Sequence, residues 1–352
     1  MMFMRKILFI TVILALGGIG LKAIKKNNDA KRVPKEETAI IEAPKEVHEQ
    51  KPISNPVLID NQSILIRNEA VKAETYVPVA MQSELEPKGD LIEKFFTTGK
   101  DKLPIVETIT YKSRVPWIKG RPAWIADYAS HYATSRHFIA RSLHGKGDYY
   151  DQRVSPGDSF NVLRSDKPIN FYLLIDNSKC KMWFYYIDLE AKEKVFLKAY
   201  DVGLGSLKEN KTITPTGKFL LGDKVATYKP GMPGYFHNEK VEMIKIFGTR
   251  WIPFKEAVGE CSDQAKGYGL HGLPCDINAE TKEVVERIDL LGKYDSDGCI
   301  RLAKDSIEEL YSIVISRPTI VEIVEDATSL IQDSKKIPEP VLIAAQINPK
   351  EE

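Results

Sequence analysis

The residues best suited to do chemistry are Ser296-Asp297-Gly298-Cys299-Ile300-Arg301-Leu302 and, upstream of them, His271-Gly272. A cysteine directly after a glycine suits a tight turn that presents its thiol. A lone histidine followed by glycine suits the base that would activate it. Together they point to acyl transfer through a thioester. A free thiol has a pKa of about 8.5, so it needs a base or a positive surrounding to react near neutral pH. The peptide N–H groups of Gly298 and Cys299 are candidate donors to the oxyanion formed on the attacked carbonyl. Such fixed donors contribute about 2.7–4 kcal/mol each. Glycine at 298 would spare an approaching substrate backbone a steric clash.

These residues need a frame, and from residue 171 the sequence turns to β patterning. Residues 171–176 (Phe-Tyr-Leu-Leu-Ile-Asp) read as a strand, 181–187 as a second and 194–202 as a third. Asn177-Ser178-Lys179 supplies the turn between the first two. Gly203, Gly205 and Asn210 mark a loop, and residues 214–219 (Thr-Pro-Thr-Gly-Lys-Phe) lead into Leu220-Leu221. Residues 304–315 read as a helix, with Asp305, Glu308 and Glu309 near its start, where the helix dipole favours them. A β-branched strand follows at 319–324, and no internal repeat is visible.

This order of pieces resembles the L,D-transpeptidase family, with its YkuD-type catalytic domain, over residues 171 to about 325. The pieces are the opening hairpin, residues 214–219, Gly248-Thr249-Arg250-Trp251-Ile252, Gly269-Leu270-His271-Gly272, residues 296–302, and the closing helix and strand. The resemblance implies a largely β fold that cross-links or trims peptidoglycan stem peptides without a cofactor. It gives Cys299 the nucleophile's role and His271 that of the base. The carbonyl of Gly272 would orient the imidazole, following the logic of nucleophile, base and orienting group. Arg301 would bind a substrate carboxylate or anchor its loop by a salt bridge. Ser296, Asp297 and Tyr268 would border the substrate. Trp251 and Arg250 are further candidates for the cleft, with core packing the stronger expectation for Trp251.

Two departures from the family pattern stand out. Many members carry histidine where this chain has Asp297, and a carboxylate close to the thiol would raise its pKa. The interval between His271 and Ser296 is also long. Residues 281–291 have helical spacing, so a short lid helix or a surface insertion is expected there.

Elsewhere the chain is built of contrasting segments. Arg5-Lys6 precedes an apolar run over 7–21, followed by Lys22, Lys25 and Lys26. This is an export signal, read over 1–26 as an uncleaved anchor with a cleaved signal peptide as the rival. It would place the rest outside the cytoplasm, in the cell envelope, held to the inner membrane on the periplasmic side. Residues 27–100 are rich in Lys, Glu, Pro and Ala and read as a disordered tether. Residues 101–165 become globular. Two short helical stretches are followed by Pro156-Gly157-Asp158 and a strand, a layout similar to a glycan-binding LysM module. Contact with glycan is expected over 124–163, with the histidines at 131, 137 and 144 as surface or packing residues. The catalytic domain is set at 170–326 and a polar tail at 327–352.

The expected fold is therefore mainly β, a YkuD-like sandwich with a few helices, preceded by a small α+β module. A formal net charge of +1 over 352 residues offers no basic field for nucleic acid. The four cysteines are Cys180, Cys261, Cys275 and Cys299; a free nucleophile leaves Cys261–Cys275 as a candidate bridge and Cys180 as a buried thiol. A metal site from His271, Cys261, Cys275 and Cys299 lacks a standard zinc spacing, so no metal is expected. The expected activity is L,D-transpeptidation. The alternatives are L,D-carboxypeptidase trimming of tetrapeptides to tripeptides and a non-catalytic wall-binding protein.

Overall fold

Residues 169–201 fold as an antiparallel meander, and its first two strands show why this stretch reads as unbroken apolar sequence. In a computed structural model of the chain, Phe171, Leu173 and Ile175 face one core while Tyr172 and Leu174 face a second. The neighbouring strand does the same with Met182, Phe184 and Tyr186 against Trp183, Tyr185 and Ile187. A sheet covered on both faces has no polar side to alternate with. Each such side chain contributes about 1.5–3 kcal/mol by leaving water.

The structure describes residues 86–278, 280–281, 283–333 and 337–338. The expected anchor over 1–26, the tether up to 85 and the tail from 339 lie outside the described residues. Among the described residues no helix is long and apolar enough to cross a membrane.

The elements run in order from α1 (Glu93–Phe96) and β1 (Val106–Thr110) through α2 (Ile125–His131), α3 (Arg136–His144) and β2 (Ser159–Leu163). The meander is β3 (Ile169–Asp176), β4 (Lys181–Asp188) and β5 (Glu193–Asp201). Then come β6 (Leu204–Gly205), β7 (Gly217–Leu221), β8 (Ala226–Thr227), the hairpin β9 (Pro233–Phe236) and β10 (Glu239–Glu242), and α4 (Ile244–Phe247). The remainder is β11 (Arg250–Ala257), β12 (Gly269–Gly272), β13 (Cys275–Ile277), β14 (Val284–Glu286), β15 (Tyr294–Ser296), β16 (Ile300–Leu302), α5 (Lys304–Val314), β17 (Thr319–Val324) and α6 (Thr328–Gln332).

Nine strands form the main sheet, in the order β16-β12-β11-β7-β17-β3-β4-β5 with β8 also paired to β11. β12 pairs with β16 and β3 with β17 in parallel. The helix α5 fits its expected range; Ile307, Leu310 and Val314 bury its inner face against the main core.

Ahead of this sheet, β1 and β2 pair antiparallel and enclose α2 and α3 in sequence, a β-α-α-β order. Ser135 caps α3 by accepting the Phe138 N–H at 3.0 Å, and Gly145 ends it at φ +70°. This module is joined to the sheet. Phe138 meets Phe95 edge-on at 5.8 Å, Phe95 meets Phe171 at 6.3 Å, and Arg317 donates to the carbonyls of Ala133 and Tyr132.

Three segments differ from expectation. Residues 91–96, read within a disordered tether, carry α1 (Glu93–Phe96), with Phe95 and the preceding Ile92 fully buried. Their i, i+3, i+4 apolar spacing was diluted by the polar composition around it. Ala327 and Ile331, at the head of the expected polar tail, close the second core beside Tyr172 and Trp183. Residues 281–291 form no helix. β14 pairs with β13, and a single 3-10 turn spans Ile288–Leu290. Val284 and Ile277 pack there against the cluster of Phe247 and Trp251, so pairing with β13 overrides the helical spacing.

Candidate active site

The site is assembled where β12 and β16 run side by side. His271 sits on β12 between Trp251 of β11 and Arg301 of β16. Its Nδ1 lies 2.7 Å from the carbonyl oxygen of Gly272. A carbonyl only accepts, so Nδ1 carries the proton and Nε2 is left as the free base. The ring is buried, with Phe247 edge-on at 5.2 Å and Trp251 tilted at 5.9 Å. Burial, helped by the Arg301 charge, pulls the imidazole down to about 3, against the opposing carbonyls of Gly272 and Phe247.

Cys299 immediately precedes β16 and is half-buried. Its thiol donates to the Gly267 carbonyl at 3.7 Å. Burial pushes it up to about 12, with a smaller push from Asp297, while the Gly269 N–H and Arg301 act in the other direction. His271 and Cys299 line one cleft of about 370 Å³. Burial thus favours the neutral form of both groups.

The turn that carries Cys299 is held by Ser296, which is buried. Its Oγ accepts the Gly298 N–H at 3.2 Å and donates to the Cys299 carbonyl at 2.7 Å. The Gly298 N–H, expected as an oxyanion donor, is thus engaged within the turn. Glycine is required at 298 for another reason. Its φ is +96°, and a Cβ there would lie 2.4 Å from Cε1 of Tyr268. Within the chain, the neighbour that excludes a side chain is the Tyr268 ring. Tyr268 itself lines the cleft and donates to Asp263 at 2.6 Å. Burial, then Asp263, raises its phenol above the usual value.

Residues 170–323 match the family model YkuD, the L,D-transpeptidase catalytic domain. This segment is a YkuD-type domain. Among solved structures, the chain is similar to Bd1075 of Bdellovibrio bacteriovorus at 15% identity, covering 47% of this chain and 53% of that one, with a TM-score of 0.31. It is also similar to the helical cell shape determining protein Pgp2 of Campylobacter jejuni at 14% identity, 48% and 54% coverage, and a TM-score of 0.29. A fused Zn-dependent amidase/peptidase/peptidoglycan-binding domain-containing protein of Clostridium acetobutylicum shows 17% identity, 45% and 54% coverage, and a TM-score of 0.24. The chain spans about half the length of each. No curated protein matches it.

The remaining expected residues divide around the cleft of the YkuD-type domain. Ser296, Asp297, Tyr268, Arg301 and Trp251 line it. Arg301 pairs with Asp295 at 3.3 Å, while its buried Nε has no hydrogen-bond partner. Asp297 is exposed and pairs with Lys211 at 3.4 Å, which tempers its effect on the thiol. Arg250, expected at the cleft, turns away from it; it donates to the Thr249 carbonyl at 2.8 Å and lies 3.6 Å from Glu308. All four cysteines are free, so the Cys261–Cys275 bridge does not form. The Cys261 thiol donates to the Lys218 carbonyl and that of Cys275 to the Leu273 carbonyl. Among the described residues no cluster of three or more metal-ligating side chains is present.

Sequence reasoning missed Lys211, Lys266 and, at the tip of the β9–β10 hairpin, His237, all of which line the cleft. A signal existed for the last. His237-Asn238 joins two short strands with positive φ at both residues, 48° and 64°, as a two-residue hairpin turn requires.

Proposed function

We propose that the YkuD-type domain is a cysteine-dependent L,D-transpeptidase that acts on peptidoglycan stem peptides. The reading rests chiefly on one observation: His271 holds Nδ1 2.7 Å from the Gly272 carbonyl, in the same cleft as Cys299. In the first step the Cys299 sulfur bonds to the carbonyl carbon of an amide between an L and a D centre, and the thiol proton passes to His271 Nε2. The Cys299 N–H faces the developing oxyanion. Collapse breaks the C–N bond, and the departing D-alanine amine takes the proton from the imidazolium. In the second step the amine of a neighbouring stem attacks the thioester, gives a proton to His271 and releases the sulfur, which regains it.

A second reading keeps the first step and resolves the thioester with water, giving an L,D-carboxypeptidase. It is supported by the charges lining the cleft, where Lys211, Lys266 and Arg301 face a single carboxylate, Asp297. That balance attracts the carboxylates of a stem peptide and repels a protonated acceptor amine. Either activity fits a protein of the cell envelope, outside the cytoplasm.

Intact-mass analysis tests both. The full chain is incubated with a carbapenem, and separately with purified tetrapeptide muropeptides, beside Cys299→Ala and His271→Ala. A covalent adduct absent from Cys299→Ala, with D-alanine released, is expected. Dimers as second product indicate transpeptidation, and tripeptides indicate trimming. A folded protein that binds sacculi but forms no adduct and turns nothing over overturns both and leaves a wall-binding protein.

A further inference from the structure

A second groove, about 690 Å³, lies on the seam between the β-α-α-β module and the catalytic sheet. Ligand sites commonly span about 300–1,000 Å³. The module contributes Arg136, His137, Tyr149 and Tyr150, and the catalytic side contributes Thr227 and Tyr311. Hydroxyls and ring faces dominate the lining, which holds one guanidinium and no carboxylate. His137 is 6% exposed, with Nδ1 held 2.7 Å from the Gly147 carbonyl and its ring edge-on to Tyr149 at 4.4 Å and to Tyr311 at 4.9 Å. Tyr150 lies tilted against Tyr149 at 4.0 Å yet stays 59% exposed, with the Lys229 ammonium 4.7 Å from its ring. A phenol left in water at the mouth of a concave, hydroxyl-lined groove suits a ligand with apolar C–H faces and many polar edges.

The groove is linked to the cleft through β11. Thr227 pairs with Arg250, and the next residue, Trp251, pairs with His271. Lys229 lies on the segment leading from β8 into the hairpin that carries His237. A polymer with a sugar backbone and peptide branches would find both sites on one rigid strand.

We propose that this seam groove binds an N-acetylated amino-sugar strand, stacked on Tyr150 and hydrogen-bonded by Arg136 and Thr227, while a peptide branch of the same polymer occupies the cleft. The identity of the polymer rests on the peptidoglycan reading of the cleft. The stacking and the carboxylate-free lining rest on the groove alone.

The test uses the full chain carrying Cys299→Ala, which prevents turnover. A tetrasaccharide of β-1,4-linked N-acetylglucosamine is titrated by calorimetry. Binding is expected to weaken about tenfold or more with Tyr150→Ala and with Thr227→Val. It should be unchanged with Trp124→Ala, which removes an exposed ring outside the groove. Circular dichroism checks the fold of each variant. No binding by the parent chain, equal binding by the two groove variants, or loss confined to Trp124→Ala overturns the proposal. A separate arm keeps Cys299 and follows D-alanine release from a sugar-free tetrapeptide. Tyr150→Ala should leave that rate unchanged, so failure of the groove and failure of the cleft give different results.

Discussion

Cys299 and His271 line one cleft, and both are pushed toward their neutral forms. Burial pulls the imidazole down to about 3 and pushes the thiol up to about 12, which disfavours a preformed thiolate–imidazolium pair at neutral pH. In the proposed mechanism His271 takes the proton as the sulfur attacks, as a general base. Arg301 serves this arrangement from one position, since its charge favours the thiolate and disfavours the imidazolium. A direct consequence concerns alkylation of Cys299 by iodoacetamide, followed by mass spectrometry. Below the thiol pKa the thiolate fraction grows about tenfold per pH unit, so the rate should climb steadily from about pH 6 to 9. A plateau at neutral pH would show that the ion pair is already formed.

At the scale of elements, the turn between β15 and β16 is the part most exposed to single substitutions. Ser296 bridges its two ends, accepting from Gly298 and donating to Cys299. Ser296→Ala removes both bonds and leaves the turn to the positive φ of Gly298 alone. The thiol then loses its fixed aim. Acylation by a carbapenem is expected to slow about tenfold to a hundredfold, since misplacement by about 1 Å can cost that much. The thermal midpoint should fall by only a few degrees, as a loss of about 1–2 kcal/mol predicts. An unchanged acylation rate would reduce Ser296 to a structural residue. The neighbouring β13–β14 hairpin shows how an element's type escapes its own spacing. Residues 284–286 can satisfy their backbone on β13, and the pairing of Cys275 with Glu286 settles the matter.

Across the whole molecule, two buried histidines tie stability to pH. His271 sits at about 3 and His137 at about 4, both lowered mainly by burial from an ordinary value near 6.5. Above pH 6.5 both are neutral whether the chain is folded or unfolded, and their full contribution is present. As pH falls below 6.5 the unfolded chain takes up protons that the folded one refuses, so stability is lost until the folded values are reached. The loss is about 3–5 kcal/mol per histidine at its limit. Urea midpoints should therefore fall between pH 6.5 and 4, and His137→Gln should make that slope shallower. An unaltered slope would show that the seam releases His137 to solvent before unfolding.

The sequence by itself determined where the candidate chemical groups lie and most of the strands. Cys299, His271 and Gly272 were legible because their chemical types and turn glycines are local. The meander, β17 and α5 were legible because long apolar runs and helical periodicity are local as well. The two helices of the leading module were readable for the same reason. Only the tertiary structure decided what those residues face. It engaged the Gly298 N–H with Ser296, turned Arg250 toward Glu308, brought Lys211, Lys266 and His237 to the cleft, and drew residues 91–96 and Ile331 into cores. These are contacts between segments far apart in the chain. A hydrogen bond or a buried face depends on which partner arrives, and no local spacing records that.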